Sequence, residues 1–489
     1  MPSFLTGYHR RVSSKEVALR RSGSFVLLVA LTGLLLTAVP ARATVPTNLN
    51  VSRMKNNQTE ASIAVDPTNP QNVVVVSNLE HNYGLMLGVS HDGGATFNRR
   101  SFANGTYPTH GFGKACCDPT TSWDQYGNLF LVWLDASDFT IIRMALSTDG
   151  GDSWTQIGPY APAPPPDMSV ATGLPTRTGD PDGRGSSVDQ PTVTTGDGSV
   201  WMVWNNNGSM QAVGASVSGL GAVSPFGAAQ DIPSTRGCSF GDVAVGPGGE
   251  VMQVCTRDKG SPKIAEIKTN VDPDGLGPDP FGPVTVVGTT NVQQFEPITP
   301  QQGRTVDAET GLAWDRSGGV NDGHLYLIYT DSPNPTSSQT DIFMRTSDDG
   351  GATWSDRVRV NDVRTGAQFL PRIALDQSSG LVVVGWHDCR NDHGDDHFGD
   401  TDGVRNSDAM YYMTETDGSG TFVPGIRVSK GVSNAADANN GIDYGDYTGL
   451  AFQDGIAHPA WSDNSNSTGD NPDGDLSRFD IYTASVNLT

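Results

Sequence analysis

Apolar positions along this chain come in short runs, not in helical stripes. A run rich in Val, Ile, Leu and Trp gives way to Gly, Asn or Asp, and a second such run follows. Long 3.6-residue periodicity is absent, so the pattern predicts strands joined by tight turns. One pairing then repeats. EASIAVD at 60–66 leads to VVVVS at 73–77, and DPTTSWD at 118–124 leads to LFLVWLD at 129–135. DQPTV at 189–193 precedes VWMVW at 200–204, and GDVAV at 241–245 precedes VMQVC at 251–255. ETGLAWD (309–315), LPRIALD (370–376) and YTGLAF (447–452) are followed by LYLIYTD (325–331), LVVVGWHD (381–388) and AHPAWSD (457–463). The spacing averages about 64 residues, and strand-only repeats on that scale predict propeller blades of four antiparallel strands. The count is seven. NLNVS at 48–52 resembles the outer-strand segments RVRVN (357–361) and GIRVS (425–429), while the last repeat runs out after DIYTASV (480–486). The N-terminal segment is therefore expected to complete the last blade and remove an exposed sheet edge. The expected fold is an all-β, seven-bladed β-propeller spanning 44–489 as one domain.

Several repeats carry a sharper turn after the third strand: SHDGGATF at 90–97, STDGGDSW at 147–154, SDDGGATW at 347–354 and the degenerate DGSGTF at 417–422. An Asp accepting backbone N–H groups within the turn, and glycines at positive φ, account for these residue types. The pattern resembles the Asp box, or bacterial neuraminidase repeat, of the sialidase-like propeller superfamily. In that superfamily the boxes lie away from the pocket, which implies a structural role for Asp92, Asp149 and Asp349. Catalytic sialidases have six blades, so a six-bladed ring is the alternative that the resemblance implies.

Loops leading into each innermost strand and loops after each second strand should open on one shared face. Acids recur at both positions. They either cap turns and bond neighbouring loops, or ring a polar funnel for a cation or a polyhydroxylated ligand. A sialidase grips its carboxylate with three arginines, and uses a Tyr nucleophile activated by Glu together with an Asp acid/base. The resemblance implies Tyr447 as nucleophile, Glu309 as its partner and Asp118 as acid/base. It implies Arg257, Arg372 and Arg390 as substrate-binding arginines, with His387 and Asp388 beside them. The family's F/Y-R-I-P motif is missing, because EASI stands at 60–63. The expected function is a secreted glycoside hydrolase, or a polysaccharide lyase, acting on an extracellular glycan. A non-catalytic propeller that binds a glycan or a protein is the alternative.

Composition narrows the partners. Residues 1–43 combine a basic stretch (Arg10, Arg11, Lys15, Arg20, Arg21), an apolar run over 25–39 and Ala41-Arg42-Ala43, the pattern of a cleaved export signal. The chain carries 54 acidic against 31 basic residues, and the leader holds six of the basic ones. Such a surface repels nucleic acid and anionic membranes. It suits an extracellular monomer with divalent cations and without stable membrane insertion. Two crowded acidic loops read as Ca²⁺ sites, one with Asp392, Asp395, Asp396 and Asp400, the other with Asp470, Asp473 and Asp475. Of the five cysteines, Cys238 and Cys255 flank a hairpin and are expected to pair across it.

Overall fold

The second run of each repeat is apolar throughout because both its faces are covered. Every residue of Val73–Asn78 and of Leu129–Leu134 is buried. Strands packed between two neighbouring sheets lose the in–out alternation of a half-exposed sheet. The computed structural model describes residues 44–80, 84–106, 110–158, 160, 188–260, 262–438 and 441–488; the leader expected at 1–43 lies outside them. Seven antiparallel sheets follow one another along the chain. Their innermost strands are Ser62–Val65, Thr120–Trp123, Val188–Gly196, Cys238–Val245, Gly311–Trp314, Gln368–Leu375 and Gly449–Gln453, defining blades I to VII. Each packs against the innermost strands before and after it, and Ser62–Val65 packs against Gly449–Gln453, so the ring closes. The chain is a seven-bladed β-propeller.

Closure follows the expected route. Leu49–Asn50 adds to Asp480–Thr483 of blade VII, with Leu49 opposite Thr483 and Asn50 opposite Tyr482. The join is reinforced from the side chains. Asp480 accepts Asn50 Nδ2 at 2.6 Å and Ser52 Oγ at 2.8 Å. Burial nevertheless pushes the Asp480 carboxyl up to about 6.

The S-x-D-G-G turns sit at the lower end of the blades, between third and fourth strands. Asp92 accepts Thr96 N at 2.8 Å and Thr96 Oγ1 at 2.6 Å, while Ser90 Oγ accepts Gly94 N at 2.9 Å. The turns at Asp149 and Asp349 repeat this arrangement. Bonds from Thr96 and Thr353 hold the Asp92 and Asp349 carboxyls down to about 2. The second glycine is required by its neighbour. A Cβ on Gly151 would lie 2.7 Å from Val74 of blade I, and one on Gly351 would lie 2.2 Å from Met252 of blade IV. Each turn thus seats on the preceding blade and staples the ring.

Cys238 and Cys255 are paired within blade IV, as expected, and the adjacent residues Cys116 and Cys117 are paired with each other. Cys389 is free and buried.

Candidate functional site

The upper mouth of the central channel is built by a backbone device repeated from blade to blade. Where the chain turns down into the innermost strands, Glu60, Asp118, Gln190, Glu309 and Leu370 all have left-handed backbone, φ between 47° and 57°. Bulges interrupt the pairing at the same point in blade III (Asp189 to Thr192), blade IV (Ser239 to Gly241) and blade VI (Phe369 to Arg372). A non-glycine residue in that region costs roughly 1–3 kcal/mol. Bulges of this kind re-aim side chains and cluster beside functional sites. Of these left-handed residues Asp118, Gln190 and Glu309 line the channel, whereas Leu370 packs into the core.

The channel encloses about 320 Å³, and its upper part is lined by Asp118, Gln190, Asp242, Glu309, Arg372 and Tyr447, with Thr120, Thr192, Thr310 and Thr448 below. Glu309 is the least satisfied of these. It is 6 % exposed, and its Oε1 and the neighbouring Thr310 Oγ1 are buried without a hydrogen-bond partner. Burial pushes its carboxyl well above the ordinary range, helped by the charges of Asp446 and Asp307. Asp118 is better anchored: its Oδ2 accepts Gln190 N at 3.1 Å, and its own N–H donates to Asn78 Oδ1 at 3.1 Å. Tyr447 donates weakly to Pro119 O at 3.4 Å, and burial followed by the charge of Asp118 raises its phenol well above the usual value. Arg372 Nη1 reaches across to 3.5 Å from Asp242 Oδ2, whose other bond is from Leu312 N at 2.9 Å.

A feature outside the repeat completes the mouth. Between blades IV and V the chain inserts a hairpin, Glu296–Ile298 paired with Gln301–Val306. It docks on blade VII, with Gly303 N and Arg304 N both donating to Asp443 Oδ2, at 2.7 and 3.0 Å. Arg304 then grips Asp446 through Nε (2.6 Å) and Nη2, and lies 3.5 Å from Glu60 Oε1. Burial and the charge of Asp446 push Glu60 up to about 7 in spite of this cation. Sequence reading missed Arg304. The signal was extra chain between two repeats, with an arginine at its tip.

The other predicted site residues are placed elsewhere. Arg257 is exposed on the second strand of blade IV and does not line the channel. Arg390 is consumed by Asp388 and Asp362, both at 2.7 Å, and lies 4.2 Å over the Tyr412 ring. Asp388 also accepts Trp386 Nε1 at 2.7 Å. His387 is buried among Phe369, Tyr411 and Tyr444, and burial holds it down to about 3, so it stays neutral. Other second-strand acids are likewise spent internally: Asp135 on Arg143, Asp331 on Arg357 and Asp463 on Trp461 Nε1. Among the described residues Arg257, Arg372 and Arg390 are not brought together into a three-arginine grip, and the Tyr447 hydroxyl faces Pro119 rather than Glu309.

The acidic loops differ from each other. Asp392, Asp400 and Asp408 bring carboxylate oxygens within 4.8 Å of one another. Asp408, on the third strand of blade VI, was not in the predicted set. Asp395 and Asp396 lend backbone N–H groups to Asp400 Oδ2 instead of carboxylates. In the other loop the acids diverge. Asp470 faces Arg53 at 3.8 Å, Asp473 accepts Asn56 N at 2.7 Å and Asp475 accepts Asn466 Nδ2 at 2.7 Å.

No protein-family model and no curated protein matches the chain. Three solved structures resemble it distantly. A polysaccharide lyase matches at 10 % identity over 91 % of this chain and 100 % of its own, TM-score 0.46. A phage phi92 endosialidase matches at 13 % identity over 91 % of this chain and 69 % of its own, TM-score 0.46. An α-L-arabinofuranosidase of Fusarium graminearum matches at 13 % identity over 70 % of this chain and 92 % of its own, TM-score 0.43.

Proposed function

We propose that the upper channel mouth is a glycan site and that the protein is an exported, monomeric glycoside hydrolase. The observation that carries this reading is Glu309, a buried carboxyl in the channel with an unpartnered oxygen, sharing the mouth with the carboxylate of Asp118. Acid–base cleavage of a glycoside needs one carboxyl that keeps its proton and one that stays ionised. Burial supplies the first at Glu309, and the second role goes to Asp118, which the backbone N–H of Gln190 anchors. Arg372 and the channel threonines provide donors for sugar hydroxyls. The Tyr447 phenol, held neutral, acts as a hydrogen-bonding wall and not as a nucleophile. With Arg372 the one arginine of the expected three at the mouth, the reading favours a neutral sugar over a sialic acid. A panel of chromogenic pyranosides, furanosides and sialosides tests this. Release from a neutral glycoside above a no-enzyme control supports it. Binding on a glycan array without any release leaves a non-catalytic lectin.

Calcium belongs to the same reading, held by Asp392, Asp400 and Asp408. Their mutual repulsion is relieved by a divalent ion. Chelation with EDTA is expected to lower Tm by several degrees, and an unchanged transition removes the metal.

A further inference from the structure

We propose that the lower mouth of the channel is a second binding site, one that takes the carboxylate of an acidic sugar through Arg316. Where each innermost strand ends, the chain turns back on a capping residue, and the next residue faces the axis. In blades II, III, V and VI these next residues are Gln125, Asp197, Arg316 and Gln377, and they line a cavity of about 540 Å³. Among the described residues Arg316 is the one arginine in that lining, and its position is built. Its backbone N–H donates to Gln377 Oε1 at 2.8 Å, while Gln377 Nε2 is anchored on Trp314 O at 2.9 Å. Its guanidinium crosses to blade III and donates through Nη1 to Thr195 O at 3.1 Å. Gly196 makes the room, since a Cβ there would fall 1.5 Å from Nη1.

The guanidinium forms no ion pair among the described residues, although the Asp197 carboxylate in the same lining acts on it electrostatically. Arg304 grips Asp446, Arg372 faces Asp242 and Arg390 holds Asp388. Among the described residues no carboxylate forms an ion pair with Arg316, and its one protein bond is to a neutral carbonyl. Burial lowers its pKa, with only Asp197 opposing. A half-buried cation with no ion pair is poorly compensated, and a carboxylate that meets its free N–H groups offsets that cost. In a chain with 54 acids against 31 basic residues, the missing ion pair is not for want of carboxylates. The Gln125 amide offers a further donor, and Trp123, which also lines the cavity, offers an apolar wall for a sugar face. The carboxylate is argued from Arg316 itself; only the choice of a sugar as its carrier rests on the glycan reading above.

Thermal unfolding and titration calorimetry of the whole protein with glucuronate, glucose and acetate test this without passing through turnover. Glucuronate at roughly a hundredfold excess over Kd is expected to raise Tm by about 3 °C, with glucose and acetate inert. Arg316→Gln should abolish the shift. Gln125→Ala, which removes no bond that the fold relies on, should weaken glucuronate roughly five-fold. An equal effect of acetate keeps the carboxylate and overturns the sugar. No shift with either anion, or glucose matching glucuronate, overturns the site. Loss of turnover at the upper mouth would leave these outcomes untouched.

Discussion

Replacing Glu309 with Gln is expected to cut glycoside turnover by roughly 10²–10⁴-fold, the usual worth of a positioned general acid, while leaving Tm unchanged or slightly raised. The two halves come from one fact. Glu309 sits in a channel where burial and the charges of Asp446 and Asp307 disfavour its ionised form. The amide keeps the shape and the hydrogen-bond donor of a protonated carboxyl but cannot transfer the proton. Stability and activity measured on the same preparation check the claim. A large loss of both would make Glu309 a structural residue, and full activity would remove it from the chemistry.

Arg304→Ala is expected to destabilise the fold by about 3–5 kcal/mol, as removal of one partner from a buried pair usually does. The side chain is 17 % exposed and serves two acids from different blades, Glu60 and Asp446. The loss should depend on pH, and its sign is fixed. Glu60 titrates near 7 in the fold against an ordinary 4.5, so between those values the folded state holds more protons than the unfolded one. Stability contributed there falls as pH rises through that window. Without the guanidinium Glu60 favours protonation further, so Arg304→Ala should cost more at pH 8 than at pH 5. Urea unfolding at the two values measures the difference. An equal loss at both would mean that the hairpin matters only for its packing.

The blades were legible because propeller packing writes itself into composition. A strand covered on both faces must be apolar at every position, as VVVV at 73–76 and LFLVWL at 129–134 are. The closing strand at Leu49–Asn50 was legible for a related reason, since outer strands share one pattern. The mouth was legible only in half. Asp118, Glu309, Arg372 and Tyr447 stand where innermost strands begin, and the repeat assigns that position to the axis. Acids after the second strands looked equivalent in sequence. Which of them face the funnel depends on the side chain two residues back and on nearby arginines, and Trp386, Trp461 and Arg390 claim Asp388 and Asp463. Arg304 was missed because it sits on an insertion without counterparts in other blades, marked only by the extra chain between two repeats. Asp408 was hidden in a strand, bringing a carboxylate oxygen beside a loop that held the obvious candidates.

The most direct test is a crystal structure of the protein with whichever neutral glycan scores in the panel. The account predicts a sugar ring in the upper channel, with a glycosidic oxygen at hydrogen-bond distance from Glu309 and a hydroxyl on Arg372. A glycan bound on the outer strands, or a water-filled upper mouth beside an occupied site elsewhere, would contradict it.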